Sequence, residues 1–203
     1  MSNVVCLAKY VNSWRDKGAN KVKRILWFAV NSIFFRCSWN IFSGLKVNLL
    51  RLFGAQIGKG VNIKTNVNIK CPWMLEVGDY VWIGENVWID NNINCIIGSN
   101  VVLSQGSMLL CGNHNYKKTS FDLIVGKIIL EDGVWIGARA LVCPGVTAKS
   151  HSILTVGSIT SKDMEAYGIY QGNPAMKVKT RIINDNSDSS EYRKSSFIQE
   201  SCR

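Results

Sequence analysis

The chain contains two histidines, in very different company. His114 lies between Asn113 and Asn115 in a polar stretch that offers little apolar surface to pack against. Of the side chains, imidazole has the unperturbed pKa best suited to taking a proton near neutral pH, so His114 is a candidate general base. The competing reading is a loop histidine hydrogen-bonded to its neighbours. His151, in TAKSHSIL, falls at a solvent-facing corner of the repeat described below and is expected to be structural. Cys111 stands three residues before His114, which makes a covalent route conceivable, but nothing in the sequence marks its thiol as activated. Seven cysteines, at 6, 37, 71, 95, 111, 143 and 202, form no CxxC pair and no Cys/His metal spacing. They are expected to be reduced and mostly buried thiols, with no metal site.

What positions His114 is visible as a repeat. From Ile57 an aliphatic residue returns every six positions: Ile57, Ile63 and Ile69, then after a two-residue slip Val77, Ile83 and Ile89. A second slip precedes Ile97, Leu103 and Leu109, and a last run holds Leu130, Ile136, Val142, Ala148 and Leu154. The residues four further on, among them Val61, Val67, Val81, Val87, Val101, Ser107, Val134 and Ala140, are apolar or small. Neither a 3.6-residue nor a 2-residue period keeps such positions together for so long. Short strands joined by corners do, because stacked six-residue units bury the aliphatic positions as ladders of one core. Gly58, Gly60, Gly78, Gly84, Gly98, Gly137 and Gly157 fall at expected corners, where a positive φ costs glycine little. Residues 110–128 break the period with a polar loop that must leave the coil, and such loops on a rigid scaffold tend to carry chemistry.

The segments VWIGENVWID, IIGSNVVLSQG, GNHNY, EDGVWIGARALVCPGV and GNPA, in that order and spacing, resemble the left-handed parallel β-helix acyltransferases. Within them the chain is most similar to the colanic acid (exopolysaccharide) biosynthesis acetyltransferases over about residues 45–180. The left-handed sense comes from the resemblance alone, since the period does not choose a hand and parallel crossovers are usually right-handed. The implied fold is all-β: residues 54–182 as a left-handed parallel β-helix with the ejected loop 110–128. A basic, apolar helical segment, 1–53, precedes it, with residues 20–53 read as helical, and a short C-terminal extension ends in a disordered tail, 183–203.

The resemblance puts the family's catalytic histidine on His114, as the base that takes a hydroxyl proton while the oxygen attacks a thioester carbonyl. It also implies acetyl-CoA as a co-substrate, with no other cofactor. Trp135 and Ala138, in VWIGA, match positions that pack beside the pantetheine arm and aim a backbone N–H at the thioester oxygen, where transition-state charge develops. Asp90, in VWIDN, aligns with a position that contacts the acceptor sugar, although Asp is also an ordinary corner residue. Asn115 and Asp122, in the ejected loop, are further acceptor candidates, and a solvated loop carboxylate is the common alternative. Ser161 and Lys162 match contacts to the coenzyme A phosphates. A basic residue usually follows GNPA, but this chain has Met176, so Lys177, Lys179 and Arg181 are the cations left for that role. The family implies a homotrimer with sites between neighbouring coils, and Tyr80, Trp82 and Trp88 could supply the apolar contact face or stack on sugar.

Composition narrows the partners. The chain has 203 residues, 47% of them hydrophobic, which is too apolar for disorder. The nearest approach to a membrane span, residues 25–45, carries Arg36 in its middle and reads as a surface or interfacial element. Residues 1–70 hold 12 Lys or Arg against the single Asp16, whereas residues 71–203 hold 12 against 13 acids. Such asymmetry points to an anionic partner near the N-terminus, such as a membrane face or a lipid-linked acceptor. Residues 21–53 are therefore expected to lie against a membrane or to cap the first coil. Nucleic acid is the weakest reading, because the aromatic residues of this region follow an apolar helical pattern with no recognisable motif. The stretch GAQIGKG is one residue short of a phosphate loop and has Gly60 where Ser or Thr is needed. No export signal is apparent at the N-terminus, which points to the cytoplasm, at or near the inner membrane face. The expected activity is O-acetylation of a saccharide hydroxyl in surface-polysaccharide assembly. The alternatives are N-acetylation of a nucleotide-linked amino sugar and a non-catalytic membrane-surface scaffold.

Overall fold

In the computed structural model, which describes residues 4–11 and 18–184, the six-residue units form strands of two or three residues joined by corners. They stack into three parallel faces. The first face holds Gln56–Ile57, Leu75–Val77, Cys95–Ile97, Ile128–Leu130 and Thr147–Ala148. The second holds Asn62–Ile63, Trp82–Ile83, Val102–Leu103, Trp135–Ile136 and Ile153–Leu154, and the third Asn68–Ile69, Trp88–Asp90, Met108–Leu110, Leu141–Val142 and Ile159–Thr160. The predicted ladders are the observed register: Ile63 pairs with Ile83, Ile83 with Leu103, Leu103 with Ile136, and Ile136 with Leu154. Every one of these is at most 1% exposed. Ile57, on the outermost coil, is half-buried and packs against the edge of the same core.

The two-residue slips have a single structural cause. Two corners of the triangle keep their length throughout, while the corner between the third and first faces is enlarged at residues 70–74 and 90–94. Buried Asn91 ties these two inserts together: its Nδ2 donates to the carbonyls of Cys71 (2.7 Å) and Met74 (3.1 Å), and its Oδ1 accepts from Cys71 N (3.0 Å). The excursion of residues 110–128 leaves from this same corner one coil later.

At the constant corners one residue per coil adopts the left-handed region. One column runs Gly60, Tyr80, Asn100, Gly133 and His151, and the other Asn66, Asn86, Gly106, Arg139 and Gly157. His151 is thus a corner residue, with its ring 4.9 Å from that of Tyr167. Of the seven glycines expected to need a positive φ, only Gly60 and Gly157 have one. The others answer to crowding between coils: a Cβ on Gly78 would lie 2.7 Å from Ser99 N and 2.8 Å from the Gly98 carbonyl carbon.

The expected helical run 20–53 is broken in two. Helix α1 spans Lys21–Val30, capped by Asn20 Oδ1 accepting from Lys23 N (2.9 Å), and continues through one π turn, Asn31–Phe35. After a non-helical stretch, helix α2 spans Ser43–Leu52. The break lets both pieces cover the open end of the coil, whose edge strands would otherwise expose unpaired backbone groups. Ser43 Oγ accepts from Ile63 N (2.8 Å) and donates to Val61 O (3.2 Å). Buried Lys46 donates to the carbonyls of Lys64 (2.7 Å) and Ile63 (3.4 Å), and burial lowers its pKa. Arg51 donates to the carbonyls of Ile57 (2.8 Å) and Gly58 (2.9 Å). On the third face, Trp27 Nε1 donates to Ile69 O (2.8 Å) and Asn31 Nδ2 to Asn68 Oδ1 (2.8 Å). Part of the N-terminal basic excess therefore serves as donors to a sheet edge.

At the other end, Gly168–Gly172 extends the second face and turns back as the antiparallel strand Ala175–Thr180. The expected disordered tail lies outside the described residues from position 185 onward. Among the described residues no helix is long and apolar enough to cross a membrane. Of the six cysteines described, only Cys95 and Cys111 are buried, because the others sit at corners or in the N-terminal segment rather than on inward ladder positions.

Candidate functional site

The polar excursion is a short antiparallel hairpin, not an irregular loop: Gly112–His114 pairs with Leu123–Val125. Its tip turns on Asn115, whose N donates to Asp122 O (2.8 Å) and whose Oδ1 accepts from Lys117 N (3.1 Å). His114 is half-buried at the end of the first strand. Its Nδ1 lies 3.0 Å from the carbonyl oxygen of Phe121. A carbonyl can only accept, so the neutral ring carries its proton on Nδ1 and its lone pair on Nε2. The Phe121 ring also stacks on the imidazole, with centroids 4.6 Å apart and planes within 6°. Phe121 has φ +51°, a conformation that costs a bulky residue free energy, and its N donates to Lys118 O (3.1 Å). The Tyr10 ring lies 5.8 Å from that of His114, tilted by 47°, and Cys6 N donates to Thr119 O (2.7 Å).

His114 opens onto a cavity of about 690 Å³ between the hairpin, the outer side of the third face and α1. Asp90, Trp88, Lys70 and Cys71 line it from the third face and its corner, and Lys21, Arg24, Ile25 and Phe28 of α1 with Asn31 of the π turn line it from the cap. Asp90 forms a close ion pair with Lys70, 2.6 Å between Nζ and Oδ1. Burial pushes the Cys71 thiol up to about 11, so it is protonated at neutral pH. The hydrogen bond from Cys95 lowers the Cys111 pKa, but Cys111 is wholly covered and cannot meet a substrate.

Of the predicted acceptor residues, Asp90 shares the cavity with His114. Asn115 is a turn residue outside it. Asp122, in the hairpin, does not line the cavity: its carboxylate accepts from Val11 N (3.4 Å) and pairs with Lys118 (3.3 Å), and hydrogen bonds from Ser120 and Lys118 hold its pKa low.

The predicted coenzyme residues lie elsewhere in the chain, and none of them lines the His114 cavity. Trp135 is exposed on the second face, its Nε1 donating to Ser104 Oγ (2.8 Å). Ala138 sits at the corner between the second and third faces, its carbonyl accepting from Gly157 N (2.9 Å). Ser161, Lys162 and Lys179 are exposed. Lys177 pairs with Glu165 (2.6 Å), which raises the pKa of the lysine and lowers that of the glutamate. Arg181 donates to the carbonyls of Gly133 (2.9 Å) and His151 (3.2 Å), a contact that ties the C-terminal strand to the coil. Sequence reasoning missed Phe121 and Asn31 altogether; a helical stripe at 21, 24, 25, 28 and 31 was the one available signal for the cap side of the cavity.

No protein-family model matches the chain. It is 34% identical over 166 residues to the Escherichia coli (strain K12) protein named "Putative colanic acid biosynthesis acetyltransferase WcaF", covering 82% of this chain and 91% of that one. Among solved structures, a hexapeptide-repeat acetyltransferase of Vibrio cholerae complexed with acetyl coenzyme A superposes with a TM-score of 0.73 at 19% identity, over 82% of this chain and 93% of that one. A galactoside acetyltransferase in complex with coenzyme A superposes with a TM-score of 0.70 at 19% identity, over 81% and 86%. The triangular coil is that of the left-handed β-helix acetyltransferases.

Proposed function

Because the chain belongs to the hexapeptide-repeat acetyltransferases, related to those of colanic acid biosynthesis, we propose that it transfers the acetyl group of acetyl-CoA to a saccharide hydroxyl during surface-polysaccharide assembly. The observation that carries this reading is the 3.0 Å contact of His114 Nδ1 with the Phe121 carbonyl, beside the cavity. With Nδ1–H engaged by Phe121, Nε2 is left to accept the hydroxyl proton as the oxygen attacks the thioester carbonyl. The C–S bond then breaks, and the imidazolium returns the proton to the departing sulfur. Asp90 is the one predicted acceptor residue in the same cavity and would hold a neighbouring hydroxyl. Cys111 is covered and Cys71 protonated, which favours direct transfer over an acyl-enzyme.

Trp135, Ala138, Ser161, Lys162 and Lys179 occupy other parts of the coil than the hairpin, so the coenzyme set of one chain would meet His114 of a neighbouring chain in a homotrimer. The Ala138 N–H would then face the carbonyl oxygen as negative charge develops on it. Val22, Leu26, Ile33 and Phe42 are exposed on the basic N-terminal cap and would rest against the cytoplasmic face of an anionic membrane.

The deciding experiment is thiol release from acetyl-CoA against a panel of saccharides bearing free hydroxyls or a free amine, with His114→Ala as control. Hydroxyl-dependent release lost in the variant supports the reading. Release that requires the amine would replace it with N-acetylation, and equal rates for the two proteins would remove His114 from the chemistry.

A further inference from the structure

The hairpin that carries His114 has little of its own to hold it. Two paired strands of three residues are a marginal unit in water, and Asn113, Ile124 and the tip residues 116–119 are exposed. Its return limb also carries a cost. Phe121 stands at φ +51°, and a bulky residue keeps such a conformation only where its surroundings over-determine it. The Phe121 carbonyl is the partner of His114 Nδ1, so whatever holds Phe121 also sets the imidazole.

The N-terminal arm, residues 4–11, grips that limb on both sides of Phe121. Cys6 N donates to Thr119 O (2.7 Å), two residues before it, and Val11 N donates to Asp122 Oδ1 (3.4 Å), one residue after it. Between these anchors the single turn Leu7–Lys9 bends the chain, closed by Tyr10 N donating to Leu7 O (3.0 Å). That turn sets the Tyr10 ring 5.8 Å from His114 and tilted by 47°, while Phe121 lies nearly parallel to the same imidazole at 4.6 Å. His114 thus has two aromatic neighbours at different angles, one from its own hairpin and one from the arm. The arm does not lie there to build a core: Val4, Val5, Leu7 and Val11 are exposed, and of residues 4–11 only Cys6 and Tyr10 are half-buried. Its one large half-buried side chain is given to the imidazole.

Resting on the acetyl-transfer reading above, we infer that Tyr10 is a positioning residue: with the arm clamped to the return limb, its ring keeps the imidazole on the Phe121 carbonyl, so that Nε2 faces the cavity. Without that ring the imidazole turns away from the carbonyl, and its proton exchanges between the two nitrogens. Tyr10 acts through His114, and its hydroxyl takes no part.

The test reads the ring directly. Long-range proton–nitrogen spectra of the isotopically labelled full chain, taken at alkaline pH where imidazole is neutral, give the tautomer of each histidine, with His151 as internal control. His114 should be protonated on Nδ1 in the wild type and in Tyr10→Phe, and its two nitrogens should move towards a common averaged shift in Tyr10→Ala. Tyr10→Ala should lower kcat by about ten- to a hundredfold, the cost of a misplaced catalytic group, and leave the KM for acetyl-CoA unchanged; Tyr10→Phe should stay within about twofold. Asp122→Ala, which frees the Val11 end of the arm and leaves both rings in place, should shift the tautomer the same way and by less. An unaltered His114 signature in Tyr10→Ala, a shift that His151 shares, or a Tyr10→Phe as impaired as Tyr10→Ala overturns the inference, as does a wild-type ring protonated on Nε2. A displaced tautomer with unchanged thiol release leaves Tyr10 in its positioning role and removes His114 from the chemistry, so the two readings fail separately.

Discussion

The constant corners of the coil and its enlarged corner are built from the same chain by opposite rules. At the constant corners each coil repeats one left-handed residue above the last, and a histidine placed there, His151, becomes part of the column. At the enlarged corner the chain grows from residues 70–74 to 90–94 to a full hairpin, and the histidine at its end meets a cavity instead of another coil. Regular stacking turns the ladder side chains inward and sets each corner residue in a column with those of the neighbouring coils. Departures from the period release side chains from packing, and these can then serve chemistry.

The two histidines offer the sharpest way to break that comparison. His114→Ala is expected to lower acetyl transfer by about 10²–10⁴-fold, the usual contribution of a positioned general base. His151→Ala should leave the rate within about twofold. It should cost about 1 kcal/mol, since it places alanine at φ +60° and removes the contact with Tyr167, which lowers Tm by about 2–4 °C. Steady-state thiol release and calorimetry on both variants read these outcomes. Equal loss of activity would mean that position on the coil does not separate the roles.

Next in size are glycine substitutions that test what holds the regular part. Gly78→Ala drives a methyl group into the backbone of the next coil, so it should cost about 1–3 kcal/mol or more, as overpacking does. Gly145→Ala meets no atom within 4 Å but sits at φ +86°, so its cost should be torsional only, about 1–2 kcal/mol. Thermal unfolding that ranks Gly145→Ala as the worse would show that torsion, not coil spacing, dominates. At the open end, Lys46→Met should cost about 1–3 kcal/mol, because it leaves the Ile63 and Lys64 carbonyls without their buried donor. Denaturant unfolding at constant pH measures it.

The regular part was legible because period six is a local property: Ile63, Ile83, Leu103, Ile136 and Leu154 announce their ladder by spacing alone. The slips at 70–74 and 90–94 were visible as breaks, but not as one corner, since that depends on which strands stack. His114 stood out by composition. Phe121 did not, because its role rests on a left-handed backbone and a carbonyl, and neither leaves a trace in residue type. The helical break at residues 36–42 was hidden for a similar reason. The pattern there stays apolar and basic, and tertiary contact with the coil edge overrides helix propensity. Lys177 and Arg181 read as free cations in sequence and are engaged in the fold by Glu165 and by the carbonyls of Gly133 and His151.

The smallest expected effect on activity concerns Cys71, the thiol that the enlarged corner brings into the cavity. A thiol pushed up to about 11 is only about one part in a thousand ionised at pH 8, so iodoacetamide should alkylate it far more slowly than an ordinary thiol of pKa 9.0. Cys71→Ser should leave transfer within about twofold. Its signature should appear in stability instead. The folded-state pKa is raised above the value of 9.0 for a free thiol, so the folded protein binds the proton more tightly than the unfolded chain does. That contribution is fully present below about pH 9 and is lost as pH rises through about 11. Unfolding free energy measured from pH 8 to pH 11 should therefore fall more steeply for the wild type than for Cys71→Ser. A tenfold loss of transfer in Cys71→Ser at neutral pH would place the thiol in the reaction and make the enlarged corner a site of covalent rather than direct chemistry.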